Sequence, residues 1–171
     1  VALLPGCLCC LRLRNSGRGA LAAALTVSSL AFFLFAFQVH EKSVLFPCVS
    51  ACLLPLALGP HRRPNWAAAA LCHFLSVCLF SMYPLIVKDG LYWTYAVLAA
   101  ALVGLCEAAP APGAARAIGR SLWALGLMLH GIHAFVPAPQ RYPDAWTLLI
   151  TGSSCAYLLL CLGAVTVAQL Q

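Results

Sequence analysis

Three consecutive ionisable residues, His40-Glu41-Lys42, stand between two apolar runs in the string Phe37-Gln38-Val39-His40-Glu41-Lys42-Ser43. One run ends and the next begins around them, with almost no loop between. Charge close to membrane depth is costly unless it is paired or faces a cavity. One reading is therefore a polar site in which His40 and Lys42 meet an anionic group and Glu41 holds one of them in place. The other is a solvated interhelical turn whose long side chains snorkel to the interface. A second cluster, Tyr83-Pro84-Leu85-Ile86-Val87-Lys88-Asp89-Gly90, offers Lys88 and Asp89 as a possible secondary site, though it reads more simply as an interfacial turn closed by glycine. His130 and His133, at i and i+3, share one helix face. They lack a third ligand at a matching spacing, so a buried hydrogen-bonding role is expected and no metal is. His73, a single polar residue in an apolar run, is expected to bond to a neighbouring helix.

The elements that must position these residues follow from the charges. The chain has 171 residues, 63% hydrophobic and only 8% charged, with ten Lys or Arg against four Asp or Glu. A soluble domain carries roughly 25% charged residues. This composition excludes a disordered chain, a nucleic-acid binder and an ordinary cytosolic enzyme, and it points to an all-α polytopic membrane protein. Apolar runs over about 19–39, 43–60, 64–87, 90–108, 121–136 and 145–168 predict six transmembrane helices, each close to the ~20 residues a bilayer requires. Residues 1–171 thus read as one transmembrane module. Arg12, Arg14, Arg18, Arg62, Arg63, Arg116 and Arg120 all fall on one side of such a bundle, accompanied by Glu107. Lys42, Lys88 and Arg141 fall on the other and are balanced by Glu41, Asp89 and Asp144. The positive-inside rule makes the basic face cytoplasmic, with both ends of the chain on that side. Residues 108–119 read as a small-residue linker. Tyr92, Trp93, Tyr95, Tyr142 and Trp146 read as an aromatic belt on the opposite face.

Most of the ten cysteines lie in apolar runs, where a thiol behaves as a small hydrophobe. Cys7, Cys9 and Cys10 beside Arg12 and Arg14 read as membrane-edge thiols, with palmitoylation the less favoured alternative. The chain opens on Val1 without a charged n-region, which does not look like a signal peptide and suggests part of something longer.

Three strings carry a family resemblance. Residues 33–45, FLFAFQVHEKSVL, resemble the signature of the endoplasmic-reticulum glucosyltransferases that use dolichyl-phosphate glucose. Two sister enzymes share it, one adding the first and one the second glucose to the lipid-linked oligosaccharide of N-glycosylation. Residues 80–89, FSMYPLIVKD, and 138–144, APQRYPD, are more similar to the first-glucose enzyme. The resemblance implies a GT-C type glycosyltransferase of the endoplasmic-reticulum membrane, with its active face lumenal. It also implies inverting transfer from dolichyl-phosphate glucose to lipid-linked Man(9)GlcNAc(2) in α-1,3 linkage, without a cofactor.

On that reading His40, supported by Lys42, binds the donor phosphate and Glu41 orients them. The catalytic Asp of the family lies in an early lumenal loop that nothing here matches. The resemblance covers the C-terminal third of the family, so it implies a donor-phosphate half-site that is inactive by itself. Rival readings are the sister enzyme, a transporter or channel with His40-Glu41-Lys42 as a relay, and a structural membrane subunit.

Overall fold

The computed structural model describes residues 17–36, 40–58 and 66–170, and these residues are all-helical. Helix α1 covers Gly17–Phe35, and a 3-10 turn covers Glu41–Val44. It leads directly into α2, Leu45–Leu58. Helices α3 (Ala67–Ser81) and α4 (Tyr83–Lys88) follow, then α5 (Tyr92–Ala108), α6 (Gly113–Phe135) and α7 (Ala145–Leu170). Cys7, Cys9, Cys10 and the arginines at 12, 14, 62 and 63 lie outside the described residues, as does the Glu41 carboxylate.

Helices α1 and α7 contain segments long and apolar enough to cross a membrane, Arg18–Phe35 and Ala145–Val167. Segments Lys42–Ala57, Ala67–Ser81 and Tyr92–Ala108 are apolar but shorter. The third predicted run is divided: Met82 keeps a helical backbone, and its N–H bonds to the Leu79 carbonyl. Pro84 then falls in the first turn of α4, where a missing N–H costs no helical bond. The chain accordingly continues as helix through a small adjustment.

One boundary differs clearly from the sequence expectation. Residues 108–119 are not a linker; the connector is reduced to 109–112, and α6 begins at Gly113. Ala114, Ala115 and Ala117 lower the cost of helix here, because alanine loses the least on entering one. Reading that stretch for an apolar face concealed its helical propensity.

Packing follows stripes of small residues. Ala22, Thr26 and Leu30, with Ala24, Val27 and Ala31, form the buried face of α1, which meets α2 and α7. Small side chains let helix backbones approach closely, which suits association where apolar surroundings give no hydrophobic drive. Between α1 and α2 the hydroxyls of Ser29 and Ser50 hydrogen bond at 2.7 Å. Helix α3 packs against α2, α5 and α7, and the main core joins Leu30, Val44, Ala51, Phe74, Cys78 and Leu158. Outside, Phe35 (62% exposed), Trp93 (86%), Phe135 (88%) and Leu160 (73%) present large apolar surface. That distribution suits hydrocarbon surroundings better than water.

Gly119 has the closest surroundings of the described glycines. It is buried where α6 meets α3, and a Cβ there would overlap the imidazole of His73. Gly119→Leu is expected to displace His73 and the neighbouring Trp123, at an overpacking cost of about 1–3 kcal/mol. At Gly126, one face-repeat further along α6, a Cβ meets nothing within 4 Å. Gly126→Ala should therefore be neutral or gain up to about 1 kcal/mol in helix propensity. Thermal unfolding of the two variants in detergent, read against wild type, checks the contrast; equal melting temperatures would contradict this crossing.

Candidate functional site

The 3-10 turn shapes the first cluster. His40 precedes it with extended backbone (φ −69°, ψ 141°), and its carbonyl accepts the Ser43 N–H at 2.8 Å. His40 and Lys42 are exposed, Ser43 is half-buried, and Val44 is completely buried. Pro47, in the first turn of α2, is also fully buried. The turn thus places two cationic-type side chains outward and the next apolar side chain inward, over a span of five residues. Val44 shares its core with Leu30 of α1, Ala51 of α2, Cys78 of α3 and Leu158 of α7, so four helices contribute to the base of the motif.

Lys88 and Asp89 stand at the same end of the bundle and are exposed. Gly90 takes a left-handed φ of 74°, Gly90 N–H bonds to the Val87 carbonyl, and Leu91 N–H bonds to the Ile86 carbonyl. That is a Schellman closure, in which glycine meets the backbone requirement without a Cβ penalty. The geometry agrees with a glycine-closed turn. Met82, just before α4, packs against the core that contains Val44. In the third motif Arg141 lies over the Tyr142 ring at 5.8 Å, and Trp146 Nε1 donates to the Val136 carbonyl at 2.9 Å. This last bond ties the start of α7 to the end of α6.

The histidines of α6 resolve into hydrogen bonding and stacking. His130 Nδ1 lies 2.6 Å from the Gly126 carbonyl, and His130 Nε2 lies 2.6 Å from Tyr95 Oη. A carbonyl only accepts, so Nδ1 carries the proton and Nε2 accepts from the tyrosine. Both ring nitrogens are occupied without a metal. His133 packs edge-on against Tyr83, which also stacks on His130 and Tyr95. Among the described residues no group of three or more His, Cys, Asp or Glu is placed to hold a metal.

Two expectations change here. Tyr92 and Trp93 are exposed as a belt requires, but Tyr95, one turn on from Tyr92, faces inward to His130. His73 reaches its neighbouring helix by packing on Gly119 and Trp123, and it makes no hydrogen bond among the described residues. The Tyr83–Tyr95–His130–His133 cluster was only half visible in the sequence. Its tyrosines resemble interface residues until helix pairing turns them inward.

Among the described residues the regular structure is all helix, two helices are long and apolar enough to cross a membrane, and large apolar side chains lie outside, which is consistent with a helical membrane protein. Residues 1–164 match the ALG6, ALG8 glycosyltransferase family, and the chain belongs to it. It is 34% identical over 188 residues to a dolichyl pyrophosphate Man9GlcNAc2 alpha-1,3-glucosyltransferase of Gallus gallus, covering 93% of this chain and 35% of that protein. A probable enzyme of the same name from Schizosaccharomyces pombe is 35% identical over 152 residues, covering 87% of this chain and 28% of its own. The Saccharomyces cerevisiae enzyme of that name is 33% identical over 170 residues, covering 80% and 29%. The chain spans about a third of the length of these relatives.

Proposed function

We propose that these residues form the donor-phosphate side of an endoplasmic-reticulum glucosyltransferase with six membrane spans and the GT-C architecture. The observation that carries the reading is the 3-10 turn, which projects His40 and Lys42 from a base held by buried Val44. Arg18, Arg116 and Arg120 belong to the opposite end of the helices, and the positive-inside rule then makes the His40 end lumenal. Short helices fit the scheme through their flanks: α3 runs on into α4, and the 3-10 turn extends α2.

The reaction is transfer of glucose from dolichyl-phosphate glucose to a mannose hydroxyl of the lipid-linked Man9GlcNAc2 oligosaccharide, giving an α-1,3 linkage with inversion. The mannose oxygen attacks the anomeric carbon, the bond from that carbon to the phosphate oxygen breaks, and dolichyl phosphate departs with the bonding pair. A carboxylate takes the acceptor proton within hydrogen-bond reach; it comes from outside these 171 residues. His40 and Lys42 stabilise charge growing on the departing phosphate, the kind of electrostatic assistance that acts most strongly in the transition state. Glu41 orients them, and Lys88 and Asp89 form a secondary lumenal contact. The partners are the two dolichol-linked substrates and the surrounding lipid, with no role for nucleic acid, cofactor or metal.

The three relatives described above bear the first-glucose name, which favours Man9GlcNAc2 over the monoglucosylated acceptor. Purified full-length protein, given radiolabelled dolichyl-phosphate glucose and each acceptor in turn, should glucosylate Man9GlcNAc2. Transfer only to the monoglucosylated acceptor would assign the sister activity. Transfer to neither would return the motif to the relay or structural readings.

A further inference from the structure

Helices α5 and α6 are consecutive, yet they are fastened at their ends and parted in the middle. At one end Arg120 grips Glu107 through two bonds of 2.7 and 3.0 Å, and Arg116 Nη2 reaches the Ala109 carbonyl at 3.4 Å. At the other end stands the Tyr95–His130 bond. Between these fastenings lies a cavity of about 560 Å³, walled also by α3 and α7. That volume is within the range of ligand sites, about 300–1,000 Å³.

The wall has helical regularity. On α5, Tyr92, Ala96, Ala100 and Val103 face the cavity, and on α6 Leu122 and Gly126 do. The small residues make the space: at Gly126 even a Cβ would touch nothing. The serine hydroxyls in the wall are already engaged, Ser76 with the Cys72 carbonyl, and Ser153 and Ser154 with that of Ile150, and Trp123 Nε1 is a buried donor without a partner among the described residues. His130 is satisfied on both nitrogens. A cavity so lined has little to hold water, and apolar cavities of this kind stay dry. Around it, exposed Val97 and Leu98 of α5 and Met128 of α6 continue an apolar outer surface.

We propose that this chamber binds one acyl chain of a bilayer phospholipid from the leaflet on the Tyr92 side. The inference rests on the six-span reading above, which sets α5 and α6 across the bilayer. Length supports a single leaflet's chain: from the Tyr92 rim to Val103 the α5 wall rises about 16 Å, close to half of the ~30 Å hydrocarbon core. The chain lies along the bilayer normal beside Ala96 and Ala100, and the headgroup stays at the Tyr92 rim. Neither His40 nor Lys42 lines the cavity, so the chamber is separate from the proposed phosphate site.

Full-length protein in nanodiscs containing phosphatidylcholine with a diazirine-bearing acyl chain tests this directly. Photolabel should appear at Ala96, Ala100 and Leu122, and Ala100→Trp should abolish it there while label on exposed Leu160 of α7 persists. If Ala100→Trp does not fold, Ala96→Leu serves as the second plug. Label in the chamber that survives both plugs, or none in wild type, would overturn the proposal. So would chamber labelling by a photoreactive polyprenyl phosphate in place of the phospholipid, or crosslinks showing another protein segment seated there. A glycosylation tag at residues 138–143 tests the underlying topology separately. A modified tag without chamber label defeats the lipid site alone, whereas an unmodified tag beside a modified one at Arg62 defeats the membrane arrangement.

Discussion

His40→Ala in the full-length protein is expected to reduce glucose transfer from dolichyl-phosphate glucose by about a hundredfold or more, the usual loss when one donor to a developing oxyanion is removed. The exposed imidazole contributes nothing to the core, and the bond that shapes the turn uses the His40 backbone carbonyl. Alanine therefore preserves the turn and removes only the imidazole donor. In microsomes or nanodiscs the loss should fall on kcat, with KM for the oligosaccharide acceptor unchanged, because the imidazole is assigned to the leaving phosphate. His40→Gln, which keeps a donor without a charge, should lie between. Lys42→Ala should cost less, since an ammonium on a flexible stem is a less directed partner than a ring set by the backbone. An unchanged rate for His40→Ala would remove His40 from the phosphate site.

Val44→Asp is the second large effect, and it acts through folding. Val44 is completely buried in the core that joins Leu30 of α1, Ala51 of α2, Phe74 and Cys78 of α3 and Leu158 of α7, while Leu45 beside it is 53% exposed. A carboxylate at position 44 would sit without a partner in an apolar core, which costs several kcal/mol even if it takes up a proton. Loss of folded protein is the expected outcome, measured as recovery of monodisperse material in detergent. Val44→Ala keeps the site apolar and should cost about 1.5–3 kcal/mol, the scale of one buried valine side chain. Leu45→Ala should be nearly silent in the same melting experiment. If Val44→Ala and Leu45→Ala behaved alike, Val44 would not anchor the motif, and the rigid display of His40 and Lys42 would lose its basis.

Both predictions depend on one short string, legible in the sequence because three ionisable residues interrupt apolar surroundings. The glycine closure after Asp89 was legible too, since Gly90 takes the positive φ that other residues resist. The start of α6 was not. Ala114, Ala115 and Ala117 look like linker to an eye seeking an apolar face, yet helix propensity together with the Arg120–Glu107 pair makes the stretch helical. His73 was read as a hydrogen-bonding residue, and among the described residues its contact is packing against Gly119.

What the sequence determined by itself is the all-helical class, the apolar runs between charges and the identity of the exposed motif. These depend on composition along the chain: an apolar run excludes charge, and a charge between runs is driven to an end. Only the tertiary structure decided which helices pair. Apolar stripes on α3, α5, α6 and α7 are interchangeable in sequence, and steric fit distinguishes them. That fit placed Gly119 against His73, turned Tyr95 to His130, and left α5 and α6 apart between two polar fastenings.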